Sequence, residues 1–207
     1  MNTVALTSAY LAPVEYYMAI IQSDKILLEN CDHYCKQTYR NRCRIVTANG
    51  TMDLSIPVEK ISNEKQLTRD IKISYHTDWQ TQHWRAIESA YNSTPFFEYY
   101  KDDLIPFYEK KWDFLWDFNY LIQEKILELI GDVQYRIELT TDYKADLGDE
   151  IIDWRENIHP KKNNHKIFTP YYQVFEQKFG FLQNVSIIDL LFNMGNESIL
   201  ILNERTN

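Results

Sequence analysis

A short basic segment gives this acidic chain a candidate site for anions. Residues 36–44 contain four cations, Lys36, Arg40, Arg42 and Arg44, whereas the 207-residue chain has a formal net charge of -8. Guanidinium groups bind phosphate or carboxylate in a bidentate manner. Tyr39 and Asn41 lie within the segment, where Tyr39 can pack against a sugar or base and Asn41 can hydrogen-bond to it. The alternative is a solvated strand face whose charges point to water, and the composition alone leaves both interpretations open.

Two histidines are candidates for acid–base chemistry. His33 lies just before the basic segment, and His83 precedes Trp84 in a helical pattern. Imidazole is the side chain most often used as a general base, so His33 and His83 are our catalytic candidates, with Tyr10 and Trp84 as ligand-packing rings. His83 also shares an apolar helical stripe, and a hydrogen-bonded core histidine is the competing interpretation.

The motif "CDHYC" raises the question of a metal site. It supplies Cys31, His33 and Cys35, but a structural zinc site takes four ligands, usually as two separated pairs, and the second pair is missing nearby. We therefore predict no metal here and at least partly buried thiols. The sequence identifies no cofactor, since it has no Gly-rich phosphate loop, no G-x-S-x-G and no H-E-x-x-H.

Composition sets the class of protein. The length favours one domain spanning 1–207, and 14% aromatic residues favour a folded chain. A pI near 5.1 argues against nucleic acid or an anionic membrane as partner. The N-terminal residues lack the pattern of a signal peptide, no segment has the roughly 18 apolar residues of a membrane span, and the three cysteines suit a reducing compartment. A cytoplasmic location is expected.

The first elements would position the basic segment at the end of a sheet. Residues 2–10 are typical of a strand, residues 14–23 of an amphipathic helix, and "KILLENCD" of a second strand. This order predicts a parallel, Rossmann-like strand–helix–strand start. Because ligands of open α/β sheets bind beyond the carboxyl ends of the strands, the segment that follows the second strand is well placed for a site.

A β-hairpin is predicted over about 43–58, around Asn49-Gly50, the preferred pair for a type I′ turn. That turn places Ala48 opposite Thr51 and Arg44 opposite Ser55. If the strand extends back to Tyr39, Arg40, Arg42 and Arg44 share one side, opposite Cys43 and Ile45. A helix there would instead turn Arg42 away.

The rest of the chain is mostly helical. We expect a capping box at 77–80, a helix after it, a helix from Pro95 interrupted at "DDLIP", and a long helix ending at Gly131. A strand follows at "YRIELTTDY". The stretch "DLGDEIIDWRE" suggests an acidic helix, "IHPKKNNHK" a surface loop or a mobile lid, and "SIIDLLFNMG" and "NESILILNE" two short helices. The fold class is α/β or α+β.

Several motifs in order resemble the WbqC-like protein family. They are "AYLAPVEYY", "KQTYRNRCRI", "ANGTMDLSIPVEK", "TDWQTQHWRAIESAYNSTPFFEYY" and "NVSIIDLLFNMG", and together they cover nearly the whole chain. Members often occur beside genes for O-antigen and other surface polysaccharides, so the resemblance implies a role with activated sugars. Thr7-Ser8 and Asn30-Cys31 depart from the family pattern, in which many members have Gln-Pro and acidic residues.

Together these features predict a transferase acting on a nucleotide- or phosphate-bearing sugar in polysaccharide biosynthesis. Its partner would be an anionic small molecule held by Arg40, Arg42 and Arg44. The alternative is a non-catalytic binding or accessory protein, which needs the cations but no titrating group beside the ligand.

Overall fold

The fold is built on a four-stranded parallel sheet. The computed structural model describes residues 2–60, 66–131, 135–162 and 167–204. The strands are β1 (Thr3–Thr7), β2 (Lys25–Glu29), β5 (Arg136–Leu139) and β6 (Ile151–Asp153), in the order β5-β2-β1-β6. All three pairings are parallel, so the carboxyl ends of the four strands lie at one edge of the sheet.

The predicted strand–helix–strand start is confirmed. Helix α1 (Val14–Ile21) connects β1 to β2, which pair from Thr3 with Lys25 to Thr7 with Glu29. Val4, Leu6 and other apolar side chains of the two central strands are buried. Burial on both faces explains why these strands are nearly continuous apolar runs.

The hairpin forms with a register different from the predicted one. Strands β3 (Arg42–Thr47) and β4 (Gly50–Ser55) pair antiparallel, with Val46 opposite Thr51. Ala48 and Asn49 form the turn, and Gly50, with φ of 100°, follows it. A type I′ turn would need positive φ at both turn residues, whereas Gly50 alone among residues 47–50 has it. The predicted turn at Asn49-Gly50 is therefore wrong, because the observed turn lies one residue earlier in the chain.

Seven helices, including α1, surround the sheet and the hairpin in the described parts of the chain. The other six are α2 (Trp79–Tyr91), α3 (Phe97–Glu109), α4 (Leu115–Ile130), α5 (Glu176–Phe179), α6 (Ile187–Met194) and α7 (Ser198–Asn203). Gly131 ends α4 and Gly195 ends α6, as predicted. The fold class, a parallel sheet with a separate hairpin and packed helices, is confirmed.

Three local predictions are wrong. The capping box is not made, because Gln80 donates to the carbonyls of Phe107 (3.1 Å) and Lys110 (2.7 Å) instead. Pro106 lies inside α3, where burial of apolar side chains on both sides of it outweighs the hydrogen bond that proline cannot make. The acidic stretch at 147–156 contributes β6 to the sheet rather than a helix.

The C-terminal region is tied to the core by a buried carboxylate. Asp189 Oδ2 accepts hydrogen bonds from the Tyr171 hydroxyl and from Gln173 Nε2, each at 2.7 Å. Burial raises the pKa of Asp189 to about 6, although these hydrogen bonds oppose the rise. Among the helices described, none is long and apolar enough to cross a bilayer.

Candidate functional site

A buried ion-pair network lies at the carboxyl edge of the sheet. Glu29, the last residue of β2, is fully buried, and its Oε2 accepts from Arg155 Nη1 at 2.8 Å. Arg155 follows β6 and also donates to both carboxylate oxygens of Asp153 (3.0 and 2.7 Å). The remaining Glu29 oxygen accepts from the Thr140 hydroxyl and from the amide of Cys31. One arginine thus joins the ends of β2 and β6 across the sheet.

The guanidinium of Arg155 is committed to this network. It donates to the carbonyl of Lys144 (2.8 Å) as well, and it lies 5.1 Å from the centroid of the Tyr143 ring. The hydrogen bonds to Asp153 raise the pKa of Arg155 further above its ordinary value, despite burial. These hydrogen bonds therefore hold the Arg155 side chain in one position at the carboxyl edge.

Arg40 forms the second buried pair of the edge. Its Nε and Nη2 donate to Asp32 Oδ2 at 3.0 and 2.5 Å, and the Arg40 and Asp32 side chains are only 4% and 6% exposed. Glu156, adjacent to Arg155, lies 3.5 Å from Arg40 Nη2. Burial lowers the pKa of Arg40, but the Asp32 carboxylate more than offsets this, so the net pKa is raised.

We call Glu29, Asp32, Arg40, Asp153 and Arg155 the carboxyl-edge cluster. Buried polar atoms without a hydrogen-bond partner are concentrated beside this cluster. Seven buried side-chain polar atoms in the described residues have no hydrogen-bond partner, and four of these are Asp32 Oδ1, Thr68 Oγ1, Asn119 Oδ1 and Gln123 Nε2.

These four residues are connected to the strand ends. Asn119 Nδ2 donates to the Arg40 carbonyl (2.7 Å) and to the Ser8 hydroxyl (3.1 Å), and the amide of Thr68 donates to the Asp32 carbonyl (2.9 Å). A buried polar atom without a partner costs about 1–3 kcal/mol. The strand ends therefore combine buried ion pairs with buried polar atoms that have no partner, and this marks the edge as the candidate site.

Cations from two loops surround the cluster. Lys161 Nζ donates to Gln37 Oε1 at 2.6 Å, so the loop after β6 contacts the loop after β2. His159 lies nearby, and its pKa is lowered by burial and by the charges of Lys162, Lys161 and Arg40, which outweigh Glu156. We call Lys36, Lys161 and Lys162 the cationic rim, and the His159 ring lies beside it. Nδ1 of His159 accepts from the Lys161 amide (3.1 Å), which leaves Nε2–H of the neutral ring as a donor.

The predicted common face of three arginines is wrong. β3 begins at Arg42, and Arg40 lies in a turn before it with its side chain directed to Asp32. Arg42 and Arg44 do share one side of β3, opposite the buried Cys43 and Ile45. On that side Asp53 pairs with Arg44 at 2.8 Å and lies 3.7 Å from Arg42. Because the turn lies at Ala48 and Asn49, one residue earlier than predicted, Asp53 rather than Ser55 lies opposite Arg44.

Tyr10 and His83, two predicted site residues, lie in the core. Tyr10 is 0% exposed, and its hydroxyl hydrogen-bonds with His83 Nδ1 (3.0 Å) and with the Tyr108 hydroxyl (2.9 Å). His83 is 6% exposed, and burial lowers its pKa to about 4 despite a hydrogen bond with the Ser55 backbone. The core-histidine alternative describes His83 correctly, since its neutral ring packs among aromatic side chains.

The other predicted residues divide between surface and scaffold. His33 and Lys36 are exposed in the loop after β2. Tyr39 is half-buried, and burial raises its pKa to about 12 despite Arg44. Asn41 bonds to both backbone groups of Ile56 and so fixes the base of the hairpin. Trp84 is half-buried against Phe97 and Tyr108.

The three cysteines are free thiols in the structure. Cys43 is buried and Cys31 is half-buried, whereas Cys35 is exposed, so the prediction of at least partly buried thiols is wrong for Cys35. Arg69 Nη1 lies 3.7 Å from Cys31 Sγ. Over the described residues, no group of three or more His, Cys, Asp or Glu side chains is arranged to hold a metal ion.

Sequence reasoning missed Glu29, Asp153 and Arg155, the central residues of the edge. One signal was available for Glu29, because a carboxylate at the end of the buried run "KILLE" needs a partner. Arg155 is 126 residues from Glu29, and no local pattern reveals such a pairing.

The fold defines a class: an open parallel α/β protein, in which ligands bind beyond the carboxyl ends of the strands. The chain belongs to the WbqC-like protein family, whose model matches residues 8–169. Among curated proteins, the uncharacterised protein Rv1507c of Mycobacterium tuberculosis (strain H37Rv) is 27% identical over 224 residues, covering 96% of each chain. No solved structure matches the chain.

Proposed function

We propose that this protein acts in cell-surface polysaccharide biosynthesis, as a transferase on a nucleotide- or phosphate-bearing sugar bound at the carboxyl edge of the sheet. The observation that carries the proposal is the contact between Lys161 of the loop after β6 and Gln37 of the loop after β2, beside the carboxyl-edge cluster. Family membership supports the pathway, since the WbqC-like resemblance implies activated sugars.

The side chains of the site suit the two parts of such a ligand. Lys36, Lys161 and Lys162 are exposed cations for the phosphates, and Nε2–H of His159 adds a directed donor. Beside them, the exposed side chains of His33 and Gln37 can hydrogen-bond to the hydroxyls of a sugar. Arg40 and Arg155 hold the carboxylates in place rather than gripping the phosphates themselves.

His33 is the catalytic residue of this proposal. It is exposed in the loop after β2, so it can take the proton of an acceptor hydroxyl or amine. The acceptor oxygen or nitrogen would bond to the anomeric carbon as the bond to the phosphate oxygen breaks, and the phosphate-bearing group would leave.

A thermal-shift screen against UDP-, GDP-, CMP- and dTDP-sugars tests binding. A ligand at about 100 times its dissociation constant stabilises by about 2.7 kcal/mol, or about 5–10 °C for a chain of this size. Lys161→Ala should abolish the shift, whereas Lys101→Ala, which removes an exposed lysine paired with Glu98 on α3, should leave it intact. Absence of a shift with all four classes of nucleotide sugar would refute the proposal.

A non-catalytic binding protein is the second candidate, favoured by the burial of His83 and the commitment of both site arginines to carboxylates. Phosphorus NMR separates the two candidates by following release of the nucleotide from the bound sugar in the presence of a cell-extract acceptor fraction. A transferase should release it and lose turnover, but not binding, in His33→Ala. A binding protein should show the thermal shift with no release.

A further inference from the structure

A half-exposed tryptophan, Trp112, lies at the junction of three clefts outside the carboxyl edge. Their volumes are about 390, 470 and 330 Å³, and Trp112 lines all three. Phe107 and Leu121 form apolar walls, and Leu121 is 40% exposed there. Each volume lies within the range of small-molecule sites.

The indole of Trp112 is fixed in position before any ligand arrives. Its Nε1–H donates to the Phe107 carbonyl at 3.0 Å. The Trp112 amide donates to the Tyr75 hydroxyl (2.7 Å), which in turn donates to the Trp112 carbonyl (3.0 Å). Because these hydrogen bonds hold both the ring and the backbone, little side-chain entropy remains to be lost on binding.

The Trp112 ring packs against Phe107 and Phe118, and its remaining surface lines the clefts. Phe107 stacks on Trp112 at an interplanar angle of 7° and a centroid distance of 5.8 Å. Lys110 Nζ lies 4.6 Å from the Trp112 ring centroid. The lysine side chain is long and exposed, so a ligand can displace it from the ring.

The charged side chains that line the cleft of about 390 Å³ balance in number. Lys110 and Lys125 face Glu124 and Glu128, and Lys125 pairs with Glu128 at 2.8 Å. A phosphate would meet two carboxylates there, and a purely apolar ligand would make no use of the charged groups that line the cleft. A neutral molecule with one apolar face and many hydroxyl groups satisfies both the ring and the charged rim.

We infer that the Trp112 clefts bind the sugar rings of a neutral glycan, with the C–H face of one ring on the indole and hydroxyls on the lysines and glutamates. This site is separate from the carboxyl edge. Asn119 of α4 points to Arg40, whereas Leu121 lies about 200° further round the same helix, on its opposite side. The inference therefore does not depend on the activated-sugar proposal.

The test is titration with short neutral oligosaccharides of glucose, galactose, mannose and N-acetylglucosamine, followed by the indole N–H signals in ¹⁵N-correlated NMR. The chain has 5 Trp, and Trp112→Phe assigns the relevant signal. At least one oligosaccharide should shift the Trp112 signal, and UDP should not.

Leu121→Arg fills the cleft from an exposed position and should weaken the apparent affinity at least tenfold. Leu200→Arg is the matched control, because Leu200 is 62% exposed on α7 and lines none of these clefts, and it should change nothing. Circular dichroism confirms folding of each variant. The inference is overturned if no neutral oligosaccharide binds at millimolar concentration, or if Leu121→Arg binds as well as the control. Lys161→Ala should leave this binding intact, so failure here and failure of the nucleotide-sugar screen are distinguishable.

Discussion

Two arginines that lie two residues apart should respond very differently to removal. Arg40 is 4% exposed and bonded twice to Asp32, whereas the Arg42 side chain is 31% exposed and lies 3.7 Å from Asp53. Removing one partner of a buried ion pair leaves an uncompensated charge and costs about 3–5 kcal/mol. A half-exposed pair contributes only about 0–1 kcal/mol. Arg40→Ala should therefore lower the free energy of unfolding several times more than Arg42→Ala.

Urea unfolding followed by far-ultraviolet circular dichroism measures this difference. At about 2–4 °C per kcal/mol for a chain of this length, Arg40→Ala should lower Tm by about 6–20 °C and Arg42→Ala by no more than a few degrees. The slope of the unfolding free energy with urea should stay constant if only stability changes.

A double variant identifies the cause of the loss. Combining Arg40→Met with Asp32→Asn removes both charges and keeps most of the volume, so it should recover much of the stability lost in Arg40→Ala. Equal losses in Arg40→Ala and Arg42→Ala would refute the reasoning, because Arg40 would then be as hydrated in solution as Arg42. Failure of the double variant to recover stability would show that packing, rather than charge, is what Arg40 contributes.

Three further stability predictions use the same unfolding assay. Ile45→Ala, at a position that is 0% exposed, should cost about 2–5 kcal/mol, and a loss under 1 kcal/mol would contradict its place in the core. Burial raises the pKa of Asp189 from 3.8 to about 6, so the stability contributed by its protonated carboxyl is present below the lower pKa and is lost as the pH rises through the upper one. Asp189→Asn should remove this pH-dependent decline in the free energy of unfolding, which amounts to up to about 3 kcal/mol. An unchanged pH profile would count against the shift. Gly195→Ala would place a Cβ 2.6 Å from the Phe96 ring at φ of 56°, so it should destabilise by about 1–3 kcal/mol, clearly more than Gly148→Ala, whose Cβ would meet nothing within 4 Å.

The elements governed by local chemistry were predictable from the sequence. The apolar runs of β1 and β2 around the short helix α1 indicated the parallel start, and Gly131 and Gly195 marked helix ends. The sequence predicted the hairpin but not its register. The pair Asn49-Gly50 is compatible both with a glycine inside the turn and with a glycine directly after it.

Features that depend on tertiary contacts were not predictable. Gln80 matches a capping box but bonds to the end of α3, and Pro106 sits in a helix that packing sustains. β6 has only three residues in an acidic stretch, and its place in the sheet depends on pairing with β1. Arg40 belonged to the basic segment, but its partner Asp32 emerges only when the chain turns back at 36–40.

The order of the strands along the chain determines when the site can be assembled during synthesis. β1 and β2 can pair once 29 residues have emerged, but the arginine that neutralises Glu29 is 126 residues further on. Contacts so distant in sequence form late, since the long intervening segment must first be ordered. Until residue 155 has left the ribosome, Glu29 lacks its arginine partner and its carboxylate must stay in contact with water. The carboxyl edge is therefore completed only after residue 155 has left the ribosome, and a ligand bound there would recognise only chains synthesised beyond this point.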